Sequence, residues 1–298
     1  MSASGNLLCP IDFSDPSRGA LRYAAATAAH LGTGLTLLTV NDPLLAQAAA
    51  MDLGDGALDA QAKAETERFF SDTFSGRPPS IAVAIAVATG KPPAEILRVA
   101  RESSARLLVM SSRGATGIRK LFLGSITERV LRETTLPVLV TPPGDQGPVG
   151  LDSVRKTVKR ILVPVDLTGA GAHQVAVARQ ISQAIGGSPL ILAHVIEPVR
   201  AMVPGHAYAA NVDNERRDAA EQSLQALVED LPPQPRVEPL VLFGDPAEEI
   251  AKIATDRDAG LIVVGLHATA QPGARMGSVT YRVLSVTHGL VLALPPRN

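Results

Sequence analysis

The chain is written twice, and that repetition limits its fold more than any single motif. "LLCPIDFSDPSRGALRYAAATAAHLGTGLTLLTVNDP", from Leu7, returns in pattern as "ILVPVDLTGAGAHQVAVARQISQAIGGSPLILAHVIEP", from Ile161. Pro10 and Asp12 fall on Pro164 and Asp166, Gly32 on Gly186, and Pro43 on Pro198. Farther along, "GKPPAEILRVARESSARLLVM" matches "GDPAEEIAKIATDRDAGLIVV", and "SITERVLRETTLPVLVTPP" lies over "SVTYRVLSVTHGLVLALPP". With about 150 residues as the usual size of a domain, 298 residues read as two copies of one unit. Between them, "PPGDQGPVGLDSVRK" is rich in Pro and Gly and has no apolar periodicity, so it reads as a linker. The expected division is a domain over 1–141, a linker over 142–158 and a domain over 159–298. Arg155, Lys156, Lys159 and Arg160 read as a solvated linker end rather than an anion-binding patch.

Within each half, short β-branched runs alternate with helix-length segments, the pattern of a parallel sheet covered by crossover helices. In the first half, strands are expected at Leu7–Ile11, Leu35–Val40, Ile81–Val87, Leu107–Met110 and Val138–Thr141. Helices are expected at Pro16–Leu31, Ala57–Phe74, Pro93–Ser104 and Ile126–Thr134. Aromatics make up 3% of the chain and Trp is absent, so Ala, Val, Leu and Ile must build the core, which suits helices on buried parallel strands. The fold class is therefore α/β, two tandem doubly wound five-stranded parallel-sheet domains with flavodoxin-like layering. Asp15 before Pro16 predicts an N-cap, and Gly32 a left-handed C-cap.

Composition removes several classes of function. No run approaches the roughly 20 apolar residues of a membrane span, and a net charge of -1 gives no global attraction to nucleic acid or anionic lipid. The single cysteine, Cys9, sits in an apolar run and reads as a small core residue. "MSASGNLLCPID" lacks the charged and apolar regions of a secretory leader, so a cytoplasmic location is expected. No G-x-x-x-x-G-K-[ST], H-E-x-x-H, paired Cys or G-x-S-x-G occurs, and "GTGLTL" joins helix to strand without a third glycine. Neither a catalytic constellation nor a metal site is visible.

In an open parallel sheet, ligands bind beyond the carboxyl ends of the strands, where strand order reverses. The loop "SSRGATGIRKLFLGS", Ser111 to Ser125, falls there between a strand and a helix. It carries Gly114, Gly117 and Gly124 with Arg113, Arg119 and Lys120. Glycines let main chain approach an anion, and Ser125 with Glu128 forms an S-x-x-E capping signature that starts a helix whose first amides are open. A plain turn, with the Ser125 hydroxyl spent on its own helix, fits the same residues. Asp12 favours the binding reading, because a carboxylate closing an apolar strand at this edge can accept hydrogen bonds from a base or ribose or help hold a cation. A local turn role beside Asp15 remains its alternative.

"CPIDFSD" before a helix, "GKPPAEIL", and "VMSSRGATGIRKLFLGSITERVLRETTLPVLV" resemble the universal stress protein family, and the whole chain resembles a tandem two-domain member. The family's nucleotide motif is similar to G-x2-G-x9-G-[ST]; here Ser111, Gly114, Gly124 and Ser125 occupy its places, with Ser111 the one departure. The resemblance implies an adenine nucleotide alpha hydrolase-like fold and an adenine nucleotide, ATP or ADP or AMP, held in the first half. It implies Asp12 at the base or ribose, aided by main chain at Pro10, Ile11, Val40 and Met110. Ser111, Arg113, Gly114, Gly124, Ser125, Ile126 and Thr127 would line the ribose and phosphates. The second half keeps Asp166, Val264, Gly265, Gly277 and Ser278 but has Ala268 for the middle glycine and one residue fewer before Gly277. If the middle glycine has positive φ, a methyl there spoils phosphate approach, so a weakened or empty second site is expected. His267 stands in the place of Arg113 and reads chiefly as a surface loop residue.

The resemblance also implies that the last strands of the two halves meet as an intramolecular pseudo-dimer, with a homodimer of chains as a further option. The leading function is a stress or signalling protein whose bound nucleotide orders the loop for an unknown protein partner. A slow Mg-dependent ATP hydrolase is the alternative. A phosphoacceptor reading fits poorly, since "LVTPP" supplies no Lys.

Overall fold

The computed structural model describes residues 5–114, 123–148, 151–167, 171–199, 206–266 and 276–296. They form two compact units, Met1–Val154 and Arg155–Asn298. The first contains β1 (Asn6–Pro10), α1 (Asp15–Leu31), β2 (Leu35–Asn41), α2 (Pro43–Leu53), α3 (Ala57–Thr73), β3 (Val83–Thr89), α4 (Pro92–Glu102), β4 (Ala105–Ser111), α5 (Ser125–Glu133) and β5 (Val138–Thr141), and α6 (Leu151–Thr157) spans the boundary. The second contains β6 (Ile161–Pro164), α7 (Ala172–Ala184), β7 (Leu190–Ile196), α8 (His206–Glu229), β8 (Val237–Phe243), α9 (Pro246–Asp256), β9 (Leu261–Gly265), α10 (Ser278–Val286) and β10 (Leu290–Leu294). Strand order is β3-β2-β1-β4-β5 in the first unit and β8-β7-β6-β9-β10 in the second. The pairings within each unit are parallel, so each unit is a doubly wound α/β domain.

The strands form because both of their faces are covered. Leu7, Leu8 and Cys9 of β1 and Leu35, Leu37 and Leu38 of β2 are at most 1% exposed, as continuous apolar runs in parallel sheets are. α1 reaches the sheet through small residues: Ala20, Ala24, Ala25 and Ala28 are fully buried. Gly19 allows a second close approach, since a Cβ there would lie 2.1 Å from the carbonyl oxygen of Asp145. The start of the Pro/Gly-rich stretch is thereby pinned to α1, with the Tyr23 hydroxyl donating to Asp145 Oδ2 at 2.8 Å and Arg22 Nη1 to Gln146 O at 2.6 Å. Lys159 and Arg160 are exposed, as expected, and donate to Asp258 Oδ2 and Arg257 O at 2.5 Å each.

Several local expectations change. The N-cap of α1 is Ser14, whose hydroxyl accepts from Ser17 N–H, and Asp15 is the first helical residue. Gly32 does take the left-handed C-cap, at φ 60° and ψ 37°. α2 and α6 were not expected. α2 has no buried residue, and Leu44, Leu45, Met51 and Leu53 are between 64% and 78% exposed; without a buried stripe it has no periodic apolar signal to read. Among the described residues no helix is long and apolar enough to cross a membrane.

Burial of Cys9 has a chemical consequence. Desolvation, and secondarily the charge of Asp12, holds its thiol well above the ordinary range, so the nucleophilic thiolate is suppressed. We expect native protein to resist maleimide at pH 8 and to react stoichiometrically once unfolded in guanidinium; fast native labelling would contradict the burial.

Candidate functional site

Winding reverses between β1 and β4, and the residues selected from the sequence meet beyond the carboxyl ends of these strands. Pro10 ends β1, with Ile11 and Asp12 just beyond it, and Met110 and Ser111 end β4. β1 pairs with β2 as far as Pro10 and Leu38, and Ile11 N–H donates to Leu38 O at 2.8 Å. β2 continues to Asn41. Val40 therefore extends past the end of β1, its main chain bordering the space over Ile11 and Asp12.

Asp12 takes the local turn role given as its alternative. Its Oδ1 accepts from Ser14 N–H at 3.1 Å and from the Ser14 hydroxyl, a local turn. Its Oδ2 faces Gly114, where a Cβ would lie 2.5 Å away. Gly114 is not among the positive-φ residues, so the condition attached to the middle glycine changes: this position needs room beside a carboxylate, not left-handed backbone.

The two ends of the loop are stitched together. Gly124 N–H donates to Ser112 O at 2.7 Å, the Ser111 hydroxyl to Arg113 O at 2.5 Å, and the Thr127 hydroxyl to Ser111 O at 2.8 Å. Gly117, Arg119 and Lys120 lie outside the described residues. The capping box does not form. Gly124 is the N-cap of α5 without a side-chain cap, Ser125 is the first helical residue, and Glu128 holds Arg132 at 2.7 Å instead. Because the first turn begins with Glu128 N–H on Gly124 O, the amides of Ser125, Ile126 and Thr127 precede the first intrahelical bond. Ser125 and Ile126 are exposed. Open amides at a helix N-terminus suit an anion.

Thr127 is 4% exposed, and its hydroxyl is turned inward onto Ser111 O. Thr280 makes the same bond to Gly265 O at 2.8 Å in the second unit. We expect Thr127→Val and Thr280→Val to cost about 1–3 kcal/mol each in urea unfolding, the typical result of leaving a buried acceptor unmet. A Thr127→Val variant of full stability with lost ligand affinity would instead make the hydroxyl a ligand contact.

Two residues escaped the sequence reading. Ser112 and Thr141 are 6% and 1% exposed, and their hydroxyl oxygens have no hydrogen-bond partner among the described residues. The repeat places Leu266 and Leu294 there, both buried, on the same framework: Ser112 N–H donates to Thr141 O at 2.8 Å, and Leu266 N–H to Leu294 O at 2.7 Å. The available signal was a hydroxyl pair in one repeat opposite a leucine pair in the other. In the second unit, Asp166 is exposed, Val264 is buried and Gly277 N–H reaches Leu266 O at 3.0 Å. Ser278 opens α10, and His267 and Ala268 lie outside the described residues. Among the described residues no cluster of three or more His, Cys, Asp or Glu could hold a metal.

Comparison with known proteins gives two matches to one family model, described as the universal stress protein family, over residues 4–142 and 157–295. The curated universal stress protein YxiE of Bacillus subtilis is 42% identical over 53 residues, 18% of this chain and 36% of that protein. The match thus spans about a third of that relative's length. A Thermus aquaticus universal stress protein is 28% identical over 134 residues, 45% of this chain and 96% of its own. Among solved structures, a universal stress protein from Archaeoglobus fulgidus superposes with TM-score 0.65 at 19% identity, covering 97% of this chain and 98% of its own; at that identity the likeness concerns the fold.

Proposed function

We propose that this chain, which belongs to the universal stress protein family, binds one adenine nucleotide, in its first repeat, and acts in a stress response through the state of that site. The observation that carries the reading is the close approach of Gly114 to Asp12 Oδ2 at the strand switch point, on a segment tied to the open first turn of α5 by the Gly124 N–H on Ser112 O. A carboxylate for a base or ribose and main-chain donors for phosphates are thereby within one small region. Asp12, with main chain at Pro10, Ile11, Val40 and Met110, would hold the nucleoside. Ser111, Arg113, Gly114 and Gly124, with the amides of Ser125, Ile126 and Thr127, would hold the phosphates.

Magnitudes require these groups to act together. A helix dipole supplies about 0.3–1 kcal/mol, while each hydrogen bond to a charged group supplies about 1.5–3. Three amides and one side chain then reach the micromolar range, where about 8 kcal/mol is needed. A divalent cation, if bound with ATP, would be held chiefly by the phosphates with one or two carboxylates, Asp12 being the candidate.

The second repeat is proposed to bind nucleotide weakly or not at all, because Leu266 and Leu294 make apolar an edge that is hydroxylated in the first. Mass spectrometry of small molecules released on denaturation, with calorimetric titration of ATP, ADP and AMP, tests the reading. We expect one nucleotide per chain. No retained nucleotide and no binding at millimolar concentration would end it. Phosphate release that exceeds the rate of a Gly114→Val variant would move the protein to the ATP hydrolase class.

A further inference from the structure

The two repeats also differ in the packing beside Asp12 and its counterpart Asp166. In the first, Phe13 meets Phe69 of α3 edge-on, with ring centroids 5.6 Å apart, and the Arg18 guanidinium lies 4.3 Å from the Phe69 centroid. Phe69 and Ala62 are buried, and beside them Thr39 and Thr66 share a hydrogen bond of 2.7 Å. The space between sheet and helix is filled by side chains of the chain itself.

Aligned without a gap from Phe69 to Val83 and from Ser223 to Val237, the second repeat carries Ser223 for Phe69, Ala220 for Thr66 and Arg216 for Ala62. Leu167 replaces Phe13 and keeps its backbone, both at φ 61°. His194 replaces Thr39. Losing two phenyl rings at one spot leaves an open cavity of about 270 Å³ lined by Leu167, His194, Ile196, Arg216, Ala220 and Ser223, with Ala219 at the same wall.

The lining has a definite chemistry. His194 Nδ1 lies 2.8 Å from Val165 O, which can only accept, so Nδ1 carries the proton and Nε2 of the neutral ring is left as an acceptor. Arg216 Nη1 donates to Glu197 O at 2.8 Å and to Asp213 Oδ1 at 3.1 Å, and the residue lines the cavity. Leu167, Ile196 and Ala220 supply apolar walls. A guanidinium attracts an aromatic face.

We propose that the second repeat binds a small aromatic molecule bearing an O–H or ring N–H donor, its ring in the space that Phe69 fills in the first repeat and its donor on His194 Nε2. This site lies in the second unit beside Asp166 and does not rest on nucleotide binding in the first repeat. Phenol and indole, titrated into the full-length protein, are the probes, read by calorimetry and by the ¹⁵N shift of His194 Nε2. We expect saturable 1:1 binding of at least one probe with a shift at Nε2. In Leu167→Phe/Ser223→Phe, which rebuilds the ring pair of the first repeat, affinity should fall at least tenfold while nucleotide binding is unchanged. If that double variant does not fold, Leu167→Phe alone serves, since Phe13 shows that this backbone accepts the ring. No saturable binding of either probe, or binding unaffected in the folded variant, overturns the proposal.

Discussion

Gly114→Val is expected to lower nucleotide affinity by at least about 100-fold while leaving the urea midpoint near that of the unmodified protein. A Cβ at this position would stand 2.5 Å from Asp12 Oδ2, a separation that no non-bonded contact tolerates, so the carboxylate and the loop must draw apart, both giving way. Withdrawing Asp12 removes a hydrogen bond to ligand worth about 1.5–3 kcal/mol, and displacing the loop removes at least one more. Together these exceed the roughly 2.7 kcal/mol of a 100-fold change. Stability should be spared because Gly114 is not in left-handed backbone, so Val adds no strain of that kind. Titration calorimetry with ATP, ADP and AMP reads the effect, and circular dichroism checks the fold. Unaltered affinity in a folded variant would put the nucleotide somewhere other than this edge. Asp12→Ala combined with Gly114→Ala separates the two contributions, since non-additivity is expected only if the residues share one ligand-bound arrangement.

The architecture was legible because the chain states it twice: each strand and helix drawn from periodicity in one half had a counterpart in the other. What could not be read is what periodicity does not encode. α2 keeps its leucines and Met51 in solvent, so no buried stripe announces it. The N-cap of α1 moved from Asp15 to Ser14 because two adjacent residues can both cap, and only the backbone decides which is non-helical. The S-x-x-E signature at Ser125 failed for a related reason: Gly124, tied to Ser112 O, already turns the chain, which places Ser125 inside the helix and leaves Glu128 to Arg132.

At the site, residue types were readable and their duties less so. Asp12 could be recognised as out of place at the end of an apolar strand, yet its division between Ser14 and Gly114 depends on distances that sequence does not carry. Thr127 was grouped with the phosphate side, whereas its hydroxyl secures Ser111 O from within. The repeat itself holds the signal for this, because Thr280 performs the same task beside a loop lacking the middle glycine.

Gly124 and Gly277 provide the sharpest comparison between the two halves. Both are helix N-caps with nearly the same backbone, φ −61° and ψ 139° against φ −59° and ψ 142°, so the intrinsic effect of a side chain on capping should cancel between them. Their surroundings do not cancel. A Cβ on Gly124 would lie 3.1 Å from Ser112 O and 3.4 Å from Arg113 Cα, both main-chain atoms, and Ser112 O is the acceptor of Gly124's own amide. On Gly277 the nearest atom among the described residues is Thr280 Oγ1 at 3.7 Å, an ordinary contact. Gly124→Val must therefore push on a hydrogen-bonded backbone pair, which has to give by a few tenths of an ångström, and we expect it to cost about 1–3 kcal/mol more than Gly277→Val. At domain sizes near 150 residues that difference corresponds to several degrees of melting temperature. Because the displaced pair joins Ser111–Gly114 to the first turn of α5, Gly124→Val should also lose nucleotide at least tenfold, with Gly277→Val unchanged. Equal melting temperatures for the two variants, together with retained nucleotide in both, would mean that the stitch between loop and helix does not hold the site together.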